Sequence, residues 1–314
     1  MPTLQAMIRN TRALADVRLP PRFAATIEVE LGAEEREAYA AAARFVEGRL
    51  GALPRLRLRH LLAAAGSSPA ALGAAAGRLL DSDAPGDPDL LAARAAASAG
   101  AGAKGEKLLE LLQARPGEKV VVFSALRATL GALSSLLDAH GVRHVAYSGA
   151  LDAAGKAQAI RRFRHEVPVL LSTESGGEGR NLEFARTLVN YDLPWNPLRV
   201  EQRIGRLHRI GQTREVFVFN LCARGTLEEE LLRVLHDKLR MFELVVGELD
   251  TVLGLMRRRR PFPDLVLELW AGAGGPEERR RRFDALAEEL LRAKASYDEV
   301  KALDEALFAD ELES

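Results

Sequence analysis

An arginine-bearing segment in the second half of the chain has the residue types that bind phosphate groups. Residues 201–212 read EQRIGRLHRIGQ, and Gln202, Arg206 and Arg209 stand at the i, i+4 and i+7 spacing of one helix face. A guanidinium group stays charged and donates paired hydrogen bonds to a phosphate. A separate apolar stripe predicts the buried side of this helix: Val200, Ile204 and Leu207. The spacing therefore predicts a helix over 198–210 with an arginine face; the alternative is a basic face that only meets solvent.

A glycine-rich turn lies upstream of these arginines. Residues 173–181 read TESGGEGRN and follow the short apolar run 167–172. Three glycines within four positions permit positive backbone torsions and leave amides uncovered, as close approach to a phosphate or ribose requires. Taken alone, the turn is equally consistent with a simple connection from a strand to a helix.

Strand-like and helix-like patterns alternate around these two segments. Short β-branched runs are followed by amphipathic stretches of helical length, which predicts a parallel sheet flanked by helices, an α/β fold. We expect strands at 120–123, 142–147, 167–172, 188–192 and 215–221, and helices at 127–140 and 152–164. Ligands of such sheets bind at the carboxyl ends of the strands.

Three zones divide the chain. Residues 1–104 form an N-terminal connector and helical region, in which 81–103 are rich in Pro, Ala and Gly and predict a flexible linker. Residues 105–240 contain the alternating pattern, and residues 241–314 form a helical tail. The arginine runs 257–260 and 279–282 in this tail are more typical of a solvated face than of a nucleic-acid contact.

Bulk composition excludes several classes of protein. The 314 residues are 47% hydrophobic and 28% charged, with 44 basic and 44 acidic side chains, so binding to an acidic polymer requires a local patch. The single cysteine excludes an intrachain disulfide, and no Cys/His spacing indicates a metal site. No apolar run approaches the ~20 residues of a membrane helix, and no signal peptide is evident, so a cytoplasmic location is expected.

The motifs resemble one known family. Residues 174–212, with the strings DLPWNP and EQRIGRLHRIGQ, closely resemble the final motifs of superfamily-two helicase-like ATPases of the Swi/Snf family. Residues 120–124 and 146–163 resemble earlier motifs of the same C-terminal lobe, and residues 8–21 resemble the stretch that leads out of the first lobe. Arg180 and the QRIGR wording are closer to the bacterial branch, which includes RNA-polymerase-associated translocases, than to nucleosome remodellers. The resemblance implies a RecA-like sheet with helical appendages at both ends.

The resemblance also implies roles for individual residues. Arg206 and Arg209 correspond to arginine fingers that meet the γ-phosphate of ATP. Helical spacing, not the resemblance, places Arg203 off their face, so its removal is expected to affect turnover less. Five residues would shape or orient the nucleotide site: Gly177, Glu178, Gly179, Asn181 and Gln202. Three positions would contact the nucleic-acid backbone, expected to be double-stranded DNA: Ser124, Ser148 and Thr173. RNA polymerase is a further expected partner.

The remaining parts of such an ATPase are not found in this sequence. A phosphate loop needs a Lys and a Ser or Thr, and an acidic pair must hold Mg²⁺. Residues 149–156 imitate a phosphate loop but have five residues between the glycines and Ala157 in place of the hydroxyl. We therefore expect the N-terminal ATPase lobe, with the Mg²⁺ site, to act in cis or in trans, and the chain to be a truncated product, half of a split gene or a partial gene model. The rival interpretations are a nucleic-acid-binding or docking module without catalysis, and an inactive remnant.

Overall fold

A parallel β-sheet forms the centre of the molecule. The computed structural model describes residues 20–95, 100–173, 182–209, 211–238, 248–256 and 261–313. Within these residues the sheet has six strands in the order β1-β6-β5-β2-β4-β3, and every pairing is parallel. The strands are β1 (Arg22–Val29), β2 (Val120–Phe123), β3 (His144–Tyr147), β4 (Val169–Ser172), β5 (Thr187–Asn190) and β6 (Val216–Ala223).

Helices cover both faces of this sheet. The helices within the alternating region are α5 (Gly102–Gln113), α6 (Arg127–Ala139), α7 (Ala153–His165), α8 (Pro197–Ile204) and α9 (Leu227–Leu232). Leucines of α5 and α6 pack on one face, and Phe163 of α7 with Val200 of α8 pack on the other. Strands β2, β4 and β5 are buried along their whole length, as expected for a parallel sheet covered on both sides. The predicted α/β fold is confirmed.

The edge strand β1 comes from the N-terminal zone. All eight of its residues pair with β6, from Arg22 opposite Val216 to Val29 opposite Ala223. The zone boundary placed at 104 falls inside α5, where Lys104 is buried. The three-zone division stays a prediction, but the sheet itself includes chain from both sides of that boundary.

A helical layer precedes the sheet region in the chain. It comprises α1 (Ala33–Arg49), α2 (Arg55–Ser67), α3 (Pro69–Ser82) and α4 (Pro88–Ala95). The flexible linker predicted from residue 81 onward is wrong for its first half, because Leu90 and Ala93 of α4 are fully buried within this layer. Small alanine side chains allow helices to pack closely, so an Ala-rich composition here gives packed helix. Residues 96–99 lie outside the described part of the chain.

The C-terminal helices are α10 (Glu248–Leu255), α11 (Phe262–Ala271) and α12 (Pro276–Glu313). Two of them, α11 and α12, contact this helical layer, whereas α10 packs on α12 and α8. Trp270 of α11 makes an edge contact with Tyr39 of α1, at 6.4 Å between ring centroids, and the Arg279 guanidinium lies 4.4 Å from the Trp270 ring centroid. Arg279 also pairs with Glu47, and Arg282 pairs with Glu278. Arg279 is thus packed in the fold, whereas Arg280 and Arg281 are exposed as a solvated face predicts; the run 257–260 lies outside the described residues.

Candidate functional site

The arginine helix begins as its sequence predicts. Pro197 occupies the first position of α8, and the side chain of Asn196 caps it by accepting a hydrogen bond from the backbone N of Leu198 at 3.1 Å. The predicted apolar stripe is buried, with Val200, Ile204 and Leu207 at most 2% exposed. This stripe fixes which side of α8 faces the sheet.

The helix ends earlier than predicted. Gly205 follows its last residue, Ile204, and the chain continues in tight turns in which the backbone N of Arg206 donates to Arg203 O at 3.1 Å. A glycine weakens helix propagation, which explains a break that periodicity alone does not reveal. The prediction of one helix through residue 210 is therefore wrong. The placement of Arg206 and Arg209 depends on the turns and not on helical spacing.

A glutamine at the end of the motif holds these turns in place. Gln212 Nε2 donates to three backbone oxygens, at 2.9 Å to Glu183, 3.1 Å to Ala185 and 3.2 Å to Leu207. The preceding Gly211 has φ +103°, and a Cβ there would lie 2.6 Å from a carboxylate oxygen of Glu183. The loop is thus fixed against the segment that leads into β5. Sequence reasoning gave Gln212 no role.

The two candidate finger arginines present their guanidinium groups outward. Arg209 is exposed and Arg206 is half-buried, and neither guanidinium makes a hydrogen bond or ion pair with another residue that the structure describes. The backbone of Arg206 is nevertheless fixed, because its carbonyl oxygen accepts from Leu182 N at 3.2 Å. Gln202 is also exposed. The candidate nucleotide-site residues Gly177, Glu178, Gly179 and Asn181 lie outside the described residues.

Arg203 differs from its neighbours. Its side chain is 3% exposed, and Nη1 donates to Asn190 Oδ1 at 3.0 Å and to the backbone oxygen of Asp192 at 2.9 Å. Nη2 lies 3.5 Å from Asp192 Oδ1. Burial lowers the pKa of Arg203 to about 10, although the nearby Asp192 carboxylate acts to raise it. The guanidinium group is therefore charged at neutral pH. The expectation that Arg203 matters less for turnover than Arg206 and Arg209 stays a prediction, and the structure adds that Arg203 is a buried ion-pair partner.

Asp192 is the residue that sequence reasoning missed. Its Oδ2 accepts from Ser124 Oγ at 2.5 Å and from Ser67 Oγ at 3.1 Å, and its Oδ1 accepts from the backbone N of Ala125 at 3.0 Å. With the Arg203 ion pair, a carboxylate only 5% exposed contacts three separate parts of the chain. The sequence signal that could have identified Asp192 is its position as an acidic residue directly after a buried strand.

A second buried ion pair lies beside Asp192. Lys104 Nζ donates to Glu228 Oε2 at 2.8 Å and to Gly66 O at 2.9 Å. The same Nζ lies 5.2 Å from the ring centroid of Tyr191. Glu228 Oε1 accepts from the backbone N of Leu193 at 3.2 Å. Burial raises the pKa of Glu228, and the neighbouring Lys104 opposes that shift. Two buried charge pairs therefore flank the end of β5.

The candidate nucleic-acid residues follow the carboxyl ends of three strands but differ in exposure. Ser148, after β3, is half-buried, and its Oγ accepts from Ala150 N at 3.4 Å. Ser124, after β2, is fully buried and donates to Asp192, while Thr173, after β4, is 5% exposed with its N bonded to Tyr147 O. Direct phosphate contact by the Ser124 hydroxyl does not fit this position. Of the three, only Ser148 has an accessible side chain.

The structure separates the two groups of candidate residues. The nucleic-acid candidates lie at the carboxyl ends of strands, whereas the backbone of Arg206 adjoins Leu182, ahead of β5. Asp192 and Arg203 lie between the two groups. Guanidinium groups without a protein partner, on a backbone that is fixed, are suited to bind phosphate oxygens.

The described residues contain neither a candidate membrane span nor a cluster of possible metal ligands. None of their helices is long and apolar enough to cross a membrane. Nor do His, Cys, Asp and Glu side chains in that part of the chain form a cluster of three or more that could hold a metal ion.

Comparison with known proteins agrees with the motifs. Residues 103–211 match the family described as helicase conserved C-terminal domain. The uncharacterized ATP-dependent helicase YqhH of Bacillus subtilis (strain 168) is 39% identical over 177 residues, 56% of this chain and 32% of that protein. RNA polymerase-associated protein RapA of Proteus mirabilis (strain HI4320) is 41% identical over 142 residues, 44% of this chain and 15% of that protein. The chain thus spans a third or less of the length of these relatives.

Solved structures share the fold. The C-terminal part of the Fun30 ATPase domain superposes with a TM-score of 0.53 at 19% identity, over 69% of this chain and 89% of that one. The Pyrococcus furiosus Hef helicase domain gives a TM-score of 0.50 at 19% identity, over 67% of this chain and 57% of that one. Residues 103–211 therefore match the helicase conserved C-terminal domain family, and the chain is similar there to the C-terminal lobe of Swi/Snf-type proteins of superfamily two.

Proposed function

We propose that this chain is the C-terminal lobe of an ATP-dependent DNA translocase, and that Arg206 and Arg209 act in an ATPase site shared with a lobe that carries the phosphate loop. ATP hydrolysis supplies the free energy for movement, and the other lobe holds the Mg²⁺. The names of two relatives, an ATP-dependent helicase and an RNA polymerase-associated protein, support this assignment and suggest RNA polymerase as a partner.

The arrangement of the arginine segment carries the proposal. Here "arginine segment" means residues 203–212. Arg203 and Gln212 anchor it to the sheet and to residues 183–185, while the guanidinium groups of Arg206 and Arg209 make no hydrogen bond or ion pair with the described residues. Donors held on a rigid backbone stabilise charge that develops during phosphoryl transfer without reorganising at that moment. Structural arginines are paired, as Arg203 is, so the two outward groups are the ones suited to a ligand.

The nucleic-acid side of the proposal rests on the strand ends. Ala125, after β2, and Ser148, after β3, are accessible. The buried Ser124 fixes the turn after β2 by donating a hydrogen bond to Asp192. Contacts of this kind bind the phosphate backbone and do not read bases, so we expect little sequence preference. Duplex DNA is the proposed substrate.

ATPase measurements test this function. The chain by itself should hydrolyse no ATP above background, with or without DNA, since none of its residues forms a phosphate loop. Joined to the phosphate-loop lobe of a Swi/Snf-type ATPase, it should show DNA-stimulated turnover that is lost in Arg206→Ala. A chain that binds DNA but gives no turnover in the joined protein would instead be a docking module, and turnover by the repurified chain alone would contradict the shared site.

A further inference from the structure

Asp192 joins three parts of the chain that are distant in sequence. It accepts hydrogen bonds from Ser124 and Ala125, in the turn after β2, and from Ser67 at the end of α2. It also pairs with Arg203 of α8. Ser67 and Ser124 are 1% exposed or less, so water does not compete for these bonds.

The link from Asp192 to the finger arginines is short. Arg203 contacts both the carboxylate and the backbone oxygen of Asp192, and Arg203 O in turn accepts from Arg206 N. A displacement of Asp192 therefore moves the last turn of α8, from which the chain enters the loop with Arg206 and Arg209. The loop after α8 is anchored at its start by Arg203 and at its end by Gln212, so its placement depends on both anchors.

The link from Asp192 to the helical layer is equally specific. Ser67 bonds Asp192 Oδ2 and also lies 2.7 Å from Thr129 Oγ1, while the adjacent Ser68 lies 2.8 Å from the same Thr129 oxygen. Lys104 Nζ holds the carbonyl oxygen of Gly66. The corner between α2 and α3 is thereby fixed at the carboxyl end of the sheet.

We propose that Asp192 is a positioning residue, which sets the placement of Arg206 and Arg209 through Arg203 and makes that placement depend on the turn after β2 and on Ser67 of α2. The significance for catalysis rests on the function proposed above. If that function holds, a movement of the turn after β2 or of α2 changes the placement of Arg206 and Arg209 through the carboxylate of Asp192.

Two adjacent serines provide a matched test. Ser67→Ala removes a hydrogen bond to Asp192, whereas Ser68→Ala removes a bond to Thr129 and the cap on Ala71 N but leaves Asp192 untouched. Hydrogen exchange of the chain under native conditions should show faster exchange in peptides covering residues 197–209 for Ser67→Ala, by about threefold to tenfold, the factor that corresponds to one lost buried hydrogen bond. Ser68→Ala should instead accelerate exchange at the start of α3.

Asp192→Asn tests the Asp192 carboxylate directly. It keeps the volume of the side chain, weakens the Arg203 interaction, and should accelerate exchange over residues 197–209 more than Ser67→Ala does. Equal acceleration in all peptides, or the same pattern for Ser67→Ala and Ser68→Ala, would overturn the proposal, since either result means general destabilisation. No change at residues 197–209 in Ser67→Ala would overturn it as well.

A kinetic readout separates this proposal from the proposed function. In the chain joined to a phosphate-loop lobe, Ser67→Ala should lower the DNA-stimulated kcat about threefold or more with little change in KM for ATP, and Ser68→Ala should not. If kcat falls equally in both variants, Ser67 has no special role in positioning. If the joined parent shows no DNA-stimulated turnover, the proposed function fails, and the exchange comparison alone still decides whether Asp192 positions the arginine segment.

Discussion

Arg203 donates through Nη1 to the backbone oxygen of Asp192 at 2.9 Å and places Nη2 3.5 Å from the carboxylate of the same residue. One arginine of the motif is thereby committed to the interior, whereas Arg206, three residues later, points outward. Arg203 is buried, whereas Arg206 and Arg209 are not. We therefore expect loss of Arg203 to lower mainly stability, and loss of Arg206 or Arg209 to lower mainly activity.

Loss of Arg203 should destabilise the protein. Arg203→Ala removes one partner of a buried ion pair and leaves Asp192 without a compensating charge, which typically costs about 3 to 5 kcal/mol in the free energy of unfolding. Arg206→Ala should change that free energy by less than about 0.5 kcal/mol, as is usual for accessible positions. Urea denaturation of both variants measures the difference. Similar midpoints for the two would mean that the Arg203 pair contributes little.

Loss of either outward arginine should abolish turnover in the joined protein. An arginine finger contributes about 10³ to 10⁵ in rate, so Arg206→Ala and Arg209→Ala should each reduce DNA-stimulated kcat by that order. Lysine should restore little activity, since a point charge does not reproduce the planar fork. The matched control is Arg280→Ala, an exposed arginine on α12. Turnover within a few-fold of the parent for both finger variants would assign these arginines a structural role.

The Lys104–Glu228 pair should behave non-additively. Either single change, Lys104→Met or Glu228→Leu, leaves a buried charge unpaired and should cost about 3 to 5 kcal/mol of stability. The double variant replaces both charges with apolar groups and should recover most of that loss, because buried pairs typically repay little more than their desolvation. Unfolding free energies of the four proteins give the coupling. Additive losses would show that Lys104 acts mainly through Gly66 O or the Tyr191 ring.

DNA binding by the chain should be weak and sensitive to salt. Basic and acidic residues number 44 each, so binding depends on a few local phosphate contacts. Each neutralised phosphate adds a slope of about 0.9 in log affinity against log salt concentration. Titrations of duplexes of different sequence at several ionic strengths should give one common slope. Salt-independent binding, or a clear preference for one sequence, would contradict backbone recognition.

Alkaline conditions should destabilise the protein through its buried thiol and phenols. Burial raises the pKa of Cys222 above its ordinary value of 9.0, and it raises the pKa values of Tyr39 and Tyr191. The unfolded chain therefore releases these protons first, so their contribution is complete below about pH 9 and is lost as pH rises, by up to about 1.4 kcal/mol per pH unit for each group. Urea midpoints between pH 7.5 and 9.5, below the pKa of about 10 that burial gives Arg203, measure this decline.

A thiol variant isolates one part of the alkaline effect. Cys222 is 1% exposed on β6 and should react with a thiol reagent only after unfolding. Cys222→Val fills a similar volume without an ionisable group, and its stability should decline less steeply near pH 9 than that of the parent. Rapid labelling of the native thiol, or identical pH profiles for the two proteins, would show that Cys222 is not held protonated by the fold.

The sequence determined those features that depend on neighbours along the chain. Alternation of β-branched and amphipathic runs predicted the strands of the central region within about two residues, and apolar spacing correctly buried Val200, Ile204 and Leu207. The motif strings also identified the family. Each of these signals is local, since periodicity and turn chemistry act over a few residues.

Only the tertiary structure decided which polar residues face inward. Helical spacing places Arg203 off the face of Arg206, but spacing alone does not show that the Arg203 charge is buried and paired. The distinction comes from Asp192 and Asn190, and the partners of Asp192 include Ser67, 125 residues away in the chain. In the same way, β1 joined the sheet through pairing with β6, almost two hundred residues later. A buried charge is stable only where the fold brings a partner to it, so its position depends on contacts that sequence spacing does not encode.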